Sequence, residues 1–371
     1  MSKLNKLLYK ILILLLIIII CEIIKNLRKC INITEINHQI LHNNNKFKYR
    51  NKLFTNNILN QPHKLFLFKE DELNIKNKNQ IHISMALDNN LVYPTLVSMT
   101  SALENNDQNH NIIIYYLLLS HNFNKENIEI FESLKKNYKV KINYYIIPPR
   151  FDKLRRWTNG TQCIYYKLLL PLLLPNLKRI IFLDGDTLVY KNLWEMYNLD
   201  FNNNYVLGYP FHSSNMVDKW GIKVKNYINV GCILINLEKI IKENKDIGLI
   251  YFSVKYNRGL FFPEQDSINV FFYPNVGLLP LKYGIYLLGN ITVFHKNIKK
   301  SLRFEINETE LIEAIDDPSI VHFSCCFPKL WNKITKNAFG YDSVCKRFQK
   351  DFYFYANKTK YYSQIYNLYM K

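Results

Sequence analysis

Two acidic residues separated by one glycine, Asp184-Gly185-Asp186, form the strongest candidate for chemistry in this sequence. They follow a short, uniformly apolar run, residues 180–183, which is typical of a strand that is buried on both faces. Side chains at positions i and i+2 of a strand point to the same side, so both carboxylates can bind one cation. A metal held there keeps coordination sites for phosphate oxygens. The motif alone is weak, and its context decides whether it is a metal site.

The elements around this motif alternate between strands and helices. Apolar patterns predict strands at 81–87, 111–119 and 139–147, and helices at 92–104 and 124–136. This alternation indicates a layered α/β fold with a mainly parallel, Rossmann-like sheet flanked by helices. Ligands of such sheets bind beyond the carboxyl ends of the strands, where Asp88 and Asp184 both fall. No glycine-rich phosphate loop is present, which disfavours a Walker site or a dinucleotide fingerprint.

Three later segments carry polar residues next to predicted elements. Residues 227–237 form a further strand with Asn229 and Gly231 near its start. A helix begins at Pro263, and the acids of its first turn would complement the helix dipole whether or not they have a function. A last short strand, 320–323, carries His322, and a single histidine is more often structural than a ligand.

Six of these stretches occur in the order found in a known family. They are MALDNN, LVSMTSALENN, YYKLLLPLLLPNLKRIIFLDGDTLVYKNLWEMY, NVGCILINLEK, PEQDSINVF and VHFSCCFPKLW. Together they resemble glycosyltransferase family 8, which contains glycogenin and bacterial lipopolysaccharide galactosyltransferases, over about residues 80–335. The resemblance implies a GT-A fold, a nucleotide-sugar donor, a divalent cation that is usually manganese, and retention of the anomeric configuration.

The resemblance also assigns roles to individual residues. It implies that Asp184, Asp186 and His322 bind the metal and that Lys329 contacts the donor's diphosphate. The other residues that it places at the donor are Ala86, Asp88, Lys167, Asn229 and Gly231. The residues that it places near the anomeric carbon and the donor sugar are Glu264, Gln265 and Asp266. Because glutamine is a poor nucleophile, we expect same-face attack, with the two acids as electrostatic or positioning groups.

Several positions depart from the family pattern. Glu264 replaces an aspartate, Lys167 replaces an arginine and lacks its planar fork, and Cys325 replaces a glycine. Leu87 and Asn90 stand where many members have residues that contact the base, so recognition of uracil stays open. We predict a metal-dependent, retaining hexosyltransferase that uses a nucleotide sugar, with UDP-hexose favoured, and a glycan, glycoprotein or glycolipid acceptor. The alternative is a catalytically weak or inactive nucleotide-sugar-binding protein on the same fold.

The charge distribution argues against a nucleic-acid partner. The whole chain has a net charge of +19, but residues 79–327 carry 26 Lys and Arg against 23 Asp and Glu. The excess therefore lies in the N-terminal 78 residues and in the tail, away from the predicted domain. A nucleic-acid enzyme would concentrate positive charge on its folded domain.

The N-terminal region is predicted to attach the protein to a membrane. Residues 7–24 are almost wholly apolar, and no Ala, Gly or Ser occurs between Ile11 and Asn32 to favour signal-peptide cleavage. We therefore favour an uncleaved anchor over the alternative of a cleaved signal peptide. We predict a cytoplasmic tip and signal-anchor at 1–24, a stem at 25–78, the catalytic domain at 79–335 and a basic, Tyr-rich tail at 336–371. The expected localisation is a single-pass type II membrane protein, in the Golgi or ER lumen of a eukaryote.

Overall fold

The structure is a computed structural model of the 371-residue chain. It describes residues 66–69, 79–107, 109–119, 123–124, 126–147, 151–156, 161–211, 226–286, 308–323, 329, 331–333 and 343–370. The strands in chain order are β1 (Phe66–Lys69), β2 (Gln80–Leu87), β3 (Asn111–Leu119), β4 (Val140–Ile147), β5 (Arg179–Leu183), β6 (Thr187–Val189), β7 (Val206–Pro210), β8 (Ile228–Asn236), β9 (Val276–Leu278), β10 (Tyr283–Tyr286) and β11 (Ile320–His322). The helices are α1 (Val92–Glu104), α2 (Glu126–Glu132), α3 (Leu170–Leu173), α4 (Trp194–Tyr197), α5 (Leu237–Lys242), α6 (Asp246–Tyr256), α7 (Pro263–Phe271), α8 (Glu308–Asp316), α9 (Ser343–Asn357) and α10 (Tyr362–Tyr369).

An eight-stranded sheet organises the molecule, with the strand order β1-β4-β3-β2-β5-β8-β7-β9. Strands β4, β3, β2 and β5 run parallel to one another, whereas β8 is antiparallel to both of its neighbours, β5 and β7. A second sheet has the order β10-β11-β6. The predicted α/β class with a parallel-dominated sheet is thus confirmed, and the antiparallel β8 is a feature that the strand pattern alone did not reveal.

The central parallel strands are buried on both faces, which explains the nearly continuous apolar sequences of β3 and β5. Every residue of β2 is buried, as is every residue of β3 except the first. The predicted helix at 92–104 matches α1 residue for residue. The predicted helix at 124–136 consists of α2 followed by a 3₁₀ turn, Ser133–Lys136.

Two flanking regions contain more structure than the sequence indicated. Within the predicted stem, Phe66–Lys69 form β1, which pairs with the open edge of β4. The run is too short for periodicity to separate a strand from irregular chain. Within the predicted C-terminal tail, α9 and α10 pack on the domain, because Phe348, Phe352 and Ile365 are buried in a cluster shared with Phe323.

The predicted Golgi or ER type II membrane localisation is contradicted. Within the described part of the chain, no helix is long and apolar enough to cross a bilayer. The longest helix there, α9, has 15 residues, whereas a membrane span needs about 20. Residues 7–24, the segment predicted as the anchor, lie outside the described residues.

Candidate active site

The three predicted metal ligands lie together at the carboxyl end of β5. The ligand atoms of Asp184, Asp186 and His322 all lie within 4.8 Å of one another. The Nε2 atom of His322 is 3.2 Å from Asp186 Oδ1 and 3.7 Å from Asp184 Oδ2. The fold therefore joins the acidic motif to a histidine from the far end of the domain.

Two antiparallel pairings produce this arrangement. Strand β6 begins directly after the acidic turn, and its partner β11 places His322 opposite Thr187. The backbone N–H of Phe323 donates to the carbonyl of Asp186 at 2.9 Å, which extends that pairing into the turn. On the other side, the N–H of Asp184 donates to the carbonyl of Gly231 at 2.7 Å.

Gly231 allows the backbone of β8 to pass directly beside the metal ligands. A Cβ atom at this position would lie 2.1 Å from His322 Cε1 and 2.5 Å from Asp184 Oδ2. Separations below 3 Å are far inside van der Waals contact, so a larger residue would displace a ligand. The site thus depends on a position without a side chain.

Two lysines neutralise the two carboxylates. The Lys329 ammonium lies 2.7 Å from Asp186 Oδ2 and 2.9 Å from the carbonyl of Phe323. The Lys167 ammonium lies 3.4 Å from Asp184 Oδ1 and 3.1 Å from the carbonyl of Val230, and its side chain is buried. Both lysines predicted to contact the donor are therefore within reach of the acidic motif.

The charge of Asp186 follows from these contacts. Burial by itself raises the pKa of this carboxyl, but the neighbouring Lys329 ammonium outweighs burial and holds the pKa well below its usual range. This direction favours the ionised form of Asp186.

The residues fit a divalent cation. They offer two hard carboxylates and one imidazole nitrogen, a donor set that suits manganese better than calcium. His322 Nδ1 lies 3.1 Å from the side-chain oxygen of Asn229, which leaves Nε2 to face the carboxylates. Metal-binding histidines commonly have such a partner on the other ring nitrogen.

The predicted catalytic residues occupy the first turn of α7, and their environments differ. Gln265 accepts hydrogen bonds from Asn229 Nδ2 at 3.1 Å and from the N–H of Val230 at 3.4 Å. Asp266 is fully buried and accepts from the backbone N–H groups of residues 261 and 262 at 2.7 and 3.0 Å. Glu264 differs from both, because its Oε2 atom is buried without a hydrogen-bond partner within the described residues.

Burial also changes the ionisation of Glu264. Desolvation raises the pKa of its carboxyl to about 7, although the Lys167 ammonium opposes that shift. Asp184 and Asp266 add smaller contributions that raise the pKa further. A carboxyl that titrates near neutral pH beside a candidate metal site is typical of catalytic groups.

Ala86 and Asp88, which are predicted to contact the donor, lie at the carboxyl end of β2. Asp88 also has a local structural role. Both residues are buried, and β2 is the parallel neighbour of β5. Asp88 Oδ1 accepts from the N–H of Asn90 at 2.9 Å and caps the following 3₁₀ turn. This contact explains an acidic residue there without a ligand.

Tyr227 is a site residue that the sequence analysis did not single out. It is buried, and its hydroxyl accepts from Gln265 Nε2 at 3.1 Å and donates to Asp266 Oδ1. The signal was present in the strand period, because Tyr227 directly precedes β8 and stands two residues before Asn229, a spacing that places both side chains on the same side of an extended chain.

Comparison with known proteins identifies the family of this chain. Residues 82–335 match the family model described as glycosyl transferase family 8. The lipopolysaccharide 1,2-glucosyltransferase of Escherichia coli is 26% identical over 249 residues, which cover 63% of this chain and 71% of that enzyme. Among solved structures, the bifunctional glycosyltransferase WbbM superposes with a TM-score of 0.64 at 20% identity, over 81% of this chain and 53%, about half, of that one.

A second solved structure covers nearly the whole of its own chain. The galactosyltransferase LgtC, in complex with donor and acceptor sugar analogues, superposes with a TM-score of 0.59 at 16% identity, over 76% of this chain and 96% of LgtC. These two similarities show the GT-A fold. Because the family match contains every site residue described above, the chain belongs to glycosyltransferase family 8 and is a glycosyltransferase.

Proposed function

We propose that this protein is a metal-dependent, retaining hexosyltransferase that uses a nucleotide sugar, a UDP-hexose in the first instance. The proposed acceptor is a glycan, free or carried on a protein or lipid. The observation that carries the proposal is the convergence of Asp184, Asp186 and His322, with a lysine beside each carboxylate. The E. coli relative, a lipopolysaccharide glucosyltransferase, supports a hexose donor and a glycan acceptor.

The charges of the site support simultaneous binding of a cation and a diphosphate. Two carboxylates and two lysines balance one another. A divalent cation adds two positive charges, and the diphosphate of a nucleotide sugar adds two negative charges, so the balance is kept when both bind. When bound, the cation would neutralise the charge that develops on the departing diphosphate.

The contacts of Gln265 support same-face attack. Its carbonyl oxygen already accepts two hydrogen bonds, and its amide nitrogen donates to Tyr227. An oxygen engaged in this way is poorly placed to form a covalent bond with the sugar. We therefore assign Gln265 to positioning and Glu264 to electrostatic stabilisation of positive charge at the anomeric carbon.

A donor screen tests the proposed function. The full-length protein would be incubated with manganese and a panel of nucleotide sugars, and released nucleoside diphosphate would be measured. We expect release that requires manganese and is abolished by EDTA. Donor binding without any release or transfer would instead identify the inactive binding protein considered above.

The pH dependence of turnover tests the role of Glu264. If its carboxylate stabilises the transition state, kcat/KM should rise as the pH increases through about 7, the pKa of this group. Glu264→Gln should remove that inflection and should lower kcat far more than donor affinity, whereas Glu264→Asp should not raise kcat. The matched control is Glu238→Gln, at an exposed glutamate paired with Lys178, and it should keep the parent profile. A parent profile that persists in Glu264→Gln would contradict this role.

Removing the buried ammonium beside Glu264 should move the same inflection. Lys167 lowers the pKa of Glu264, so Lys167→Met should shift the midpoint of the kcat/KM profile to higher pH. Lys178→Met, which removes an exposed lysine, should leave the midpoint in place. A midpoint that stays near 7 in Lys167→Met would show that the two groups do not interact.

A further inference from the structure

A chain of buried side chains leads from α7 through β8 to the candidate metal ligand His322. Its members are Asp266, Tyr227, Gln265, Asn229 and His322, and each has at most 6% of its surface exposed. Tyr227 donates to Asp266, and Gln265 Nε2 donates to Tyr227 at 3.1 Å. Asn229 Nδ2 donates to Gln265 Oε1 at 3.1 Å, and Asn229 Oδ1 lies 3.1 Å from His322 Nδ1.

Backbone amides fix the orientation of both carboxamides in this chain. The N–H of Gly231 lies 2.9 Å from Asn229 and can only donate, so the Asn229 atom facing it must be oxygen. The N–H of Val230 imposes the same condition on Gln265. Neither amide can flip without placing two donors against each other.

The same orientation determines the tautomer of His322. Because Asn229 presents an oxygen, His322 Nδ1 must carry the hydrogen of that contact. In the neutral ring, Nε2 then holds a lone pair directed towards Asp184 and Asp186. In the opposite tautomer, Nε2–H would donate to Asp186 Oδ1, 3.2 Å away, and could not bind a metal.

The Asp266 end of this series of hydrogen-bonded side chains is also fixed. Asp266 accepts from two backbone N–H groups through Oδ2, which holds its carboxylate in place as an acceptor. Tyr227 has a single hydroxyl hydrogen, and donating it to Asp266 leaves the phenolic oxygen to accept from Gln265. Every hydrogen bond in the series from Asp266 to His322 therefore has one defined donor and one defined acceptor.

We infer that Asn229, whose carboxamide is oriented by the N–H of Gly231, is a positioning residue that holds His322 in the Nδ1–H tautomer required of a metal ligand. The inference rests on the proposed metal site and gives Asn229 a role at the metal that the family resemblance did not assign to it. Partners that orient a metal ligand from behind typically contribute about 10- to 100-fold to metal affinity.

The test removes the acceptor of the His322 hydrogen bond with Asn229→Leu. The control, Tyr209→Phe, removes a buried hydroxyl on β7 that has no hydrogen-bond partner within the described residues. Tyr209 pairs with Asn229 across the two strands, so the control probes the same region. Two readouts are made on the full-length protein: the ¹⁵N shifts of the His322 ring, assigned by their absence in His322→Gln, and the affinity for manganese alone.

At a pH where the His322 ring is neutral, we expect the parent and Tyr209→Phe to show a protonated Nδ1 and an unprotonated Nε2. In Asn229→Leu, we expect mainly the Nε2–H tautomer and a manganese affinity lower by about tenfold. Asn229→Asp, which keeps the acceptor, should retain Nδ1–H, as should Tyr227→Phe, because the N–H of Gly231 still orients Asn229.

Parent-like ring shifts and manganese affinity in Asn229→Leu would overturn the inference, as would equal changes in Tyr209→Phe. A parent that binds no manganese would contradict the proposed function alone, because the ring shifts report the tautomer without metal. Thermal denaturation of each variant separates a change at His322 from unfolding.

Discussion

Replacing Gly231 with alanine is expected to lower manganese-dependent sugar transfer by at least about 100-fold, because misplacing a reacting group by about 1 Å can have an effect of that size. The new Cβ atom would lie 2.1 Å from His322 Cε1 and 2.5 Å from Asp184 Oδ2. Asp184 is partly exposed and has room to move, whereas His322 is buried and has none. The substitution is therefore expected to push Asp184 away from His322.

Measurements of transfer rate and manganese affinity check this expectation, with thermal denaturation to confirm folding. The matched control is Gly248→Ala in α6, where the new methyl group would meet only the ring of Phe271, at 2.9 Å from its Cζ atom. This variant should keep metal affinity. A Gly231→Ala variant that binds manganese like the parent would show that β8 does not confine the ligands.

Asp186→Asn should lower manganese-dependent transfer by about 100- to 1,000-fold, the effect of losing one preorganised electrostatic group in an active site. The amide has nearly the same shape and still offers an oxygen to Lys329, which lies 2.7 Å from Asp186 Oδ2. What is lost is one negative charge of the proposed metal site. The fold should be retained, because Asp186 follows β5 in a turn and contributes nothing to the apolar core.

The control is the same change at an exposed aspartate that also pairs with a lysine. Asp317 contacts Lys191 on the surface, so Asp317→Asn should leave transfer and manganese affinity unchanged. Exposed ion pairs typically contribute less than about 1 kcal/mol to stability. Manganese titration followed by spin resonance, with and without UDP, would compare the two variants. Equal manganese affinity in Asp186→Asn and the parent would exclude Asp186 as a ligand.

The hydrogen bonds of α7 change the interpretation of its acidic motif. Asp266 and Gln265 are both engaged by fixed donors, so their expected contribution is to position neighbouring groups. Glu264 is the member of the motif with a buried carboxyl oxygen that has no hydrogen-bond partner among the described residues. We therefore expect the position that departs from the family pattern, Glu264, to be the one that interacts with a substrate.

The sequence determined the local elements and their order. Strands β3 and β5 are apolar after their first residue, β2 has an apolar residue at every second position, and α1 has a run of apolar and small residues that matches its observed bounds. These patterns report burial, which is a property of each segment, and they were sufficient to predict the α/β class. The direction of β8 was not predictable in this way, since a strand that is buried on both faces has the same apolar pattern whether it runs parallel or antiparallel to its neighbours.

The tertiary structure alone decided which residues meet. His322 reaches Asp186 because β11 pairs with β6 in a register that sets His322 opposite Thr187. Gly231 lies beside Asp184 because β8 runs antiparallel to β5, with Cys232 opposite Leu183. Strand pairing joins backbone groups from distant parts of the chain, and neither composition nor periodicity encodes its partner or register. The tautomer of His322 follows from the same pairings, because they bring the amide of Asn229 against the imidazole ring.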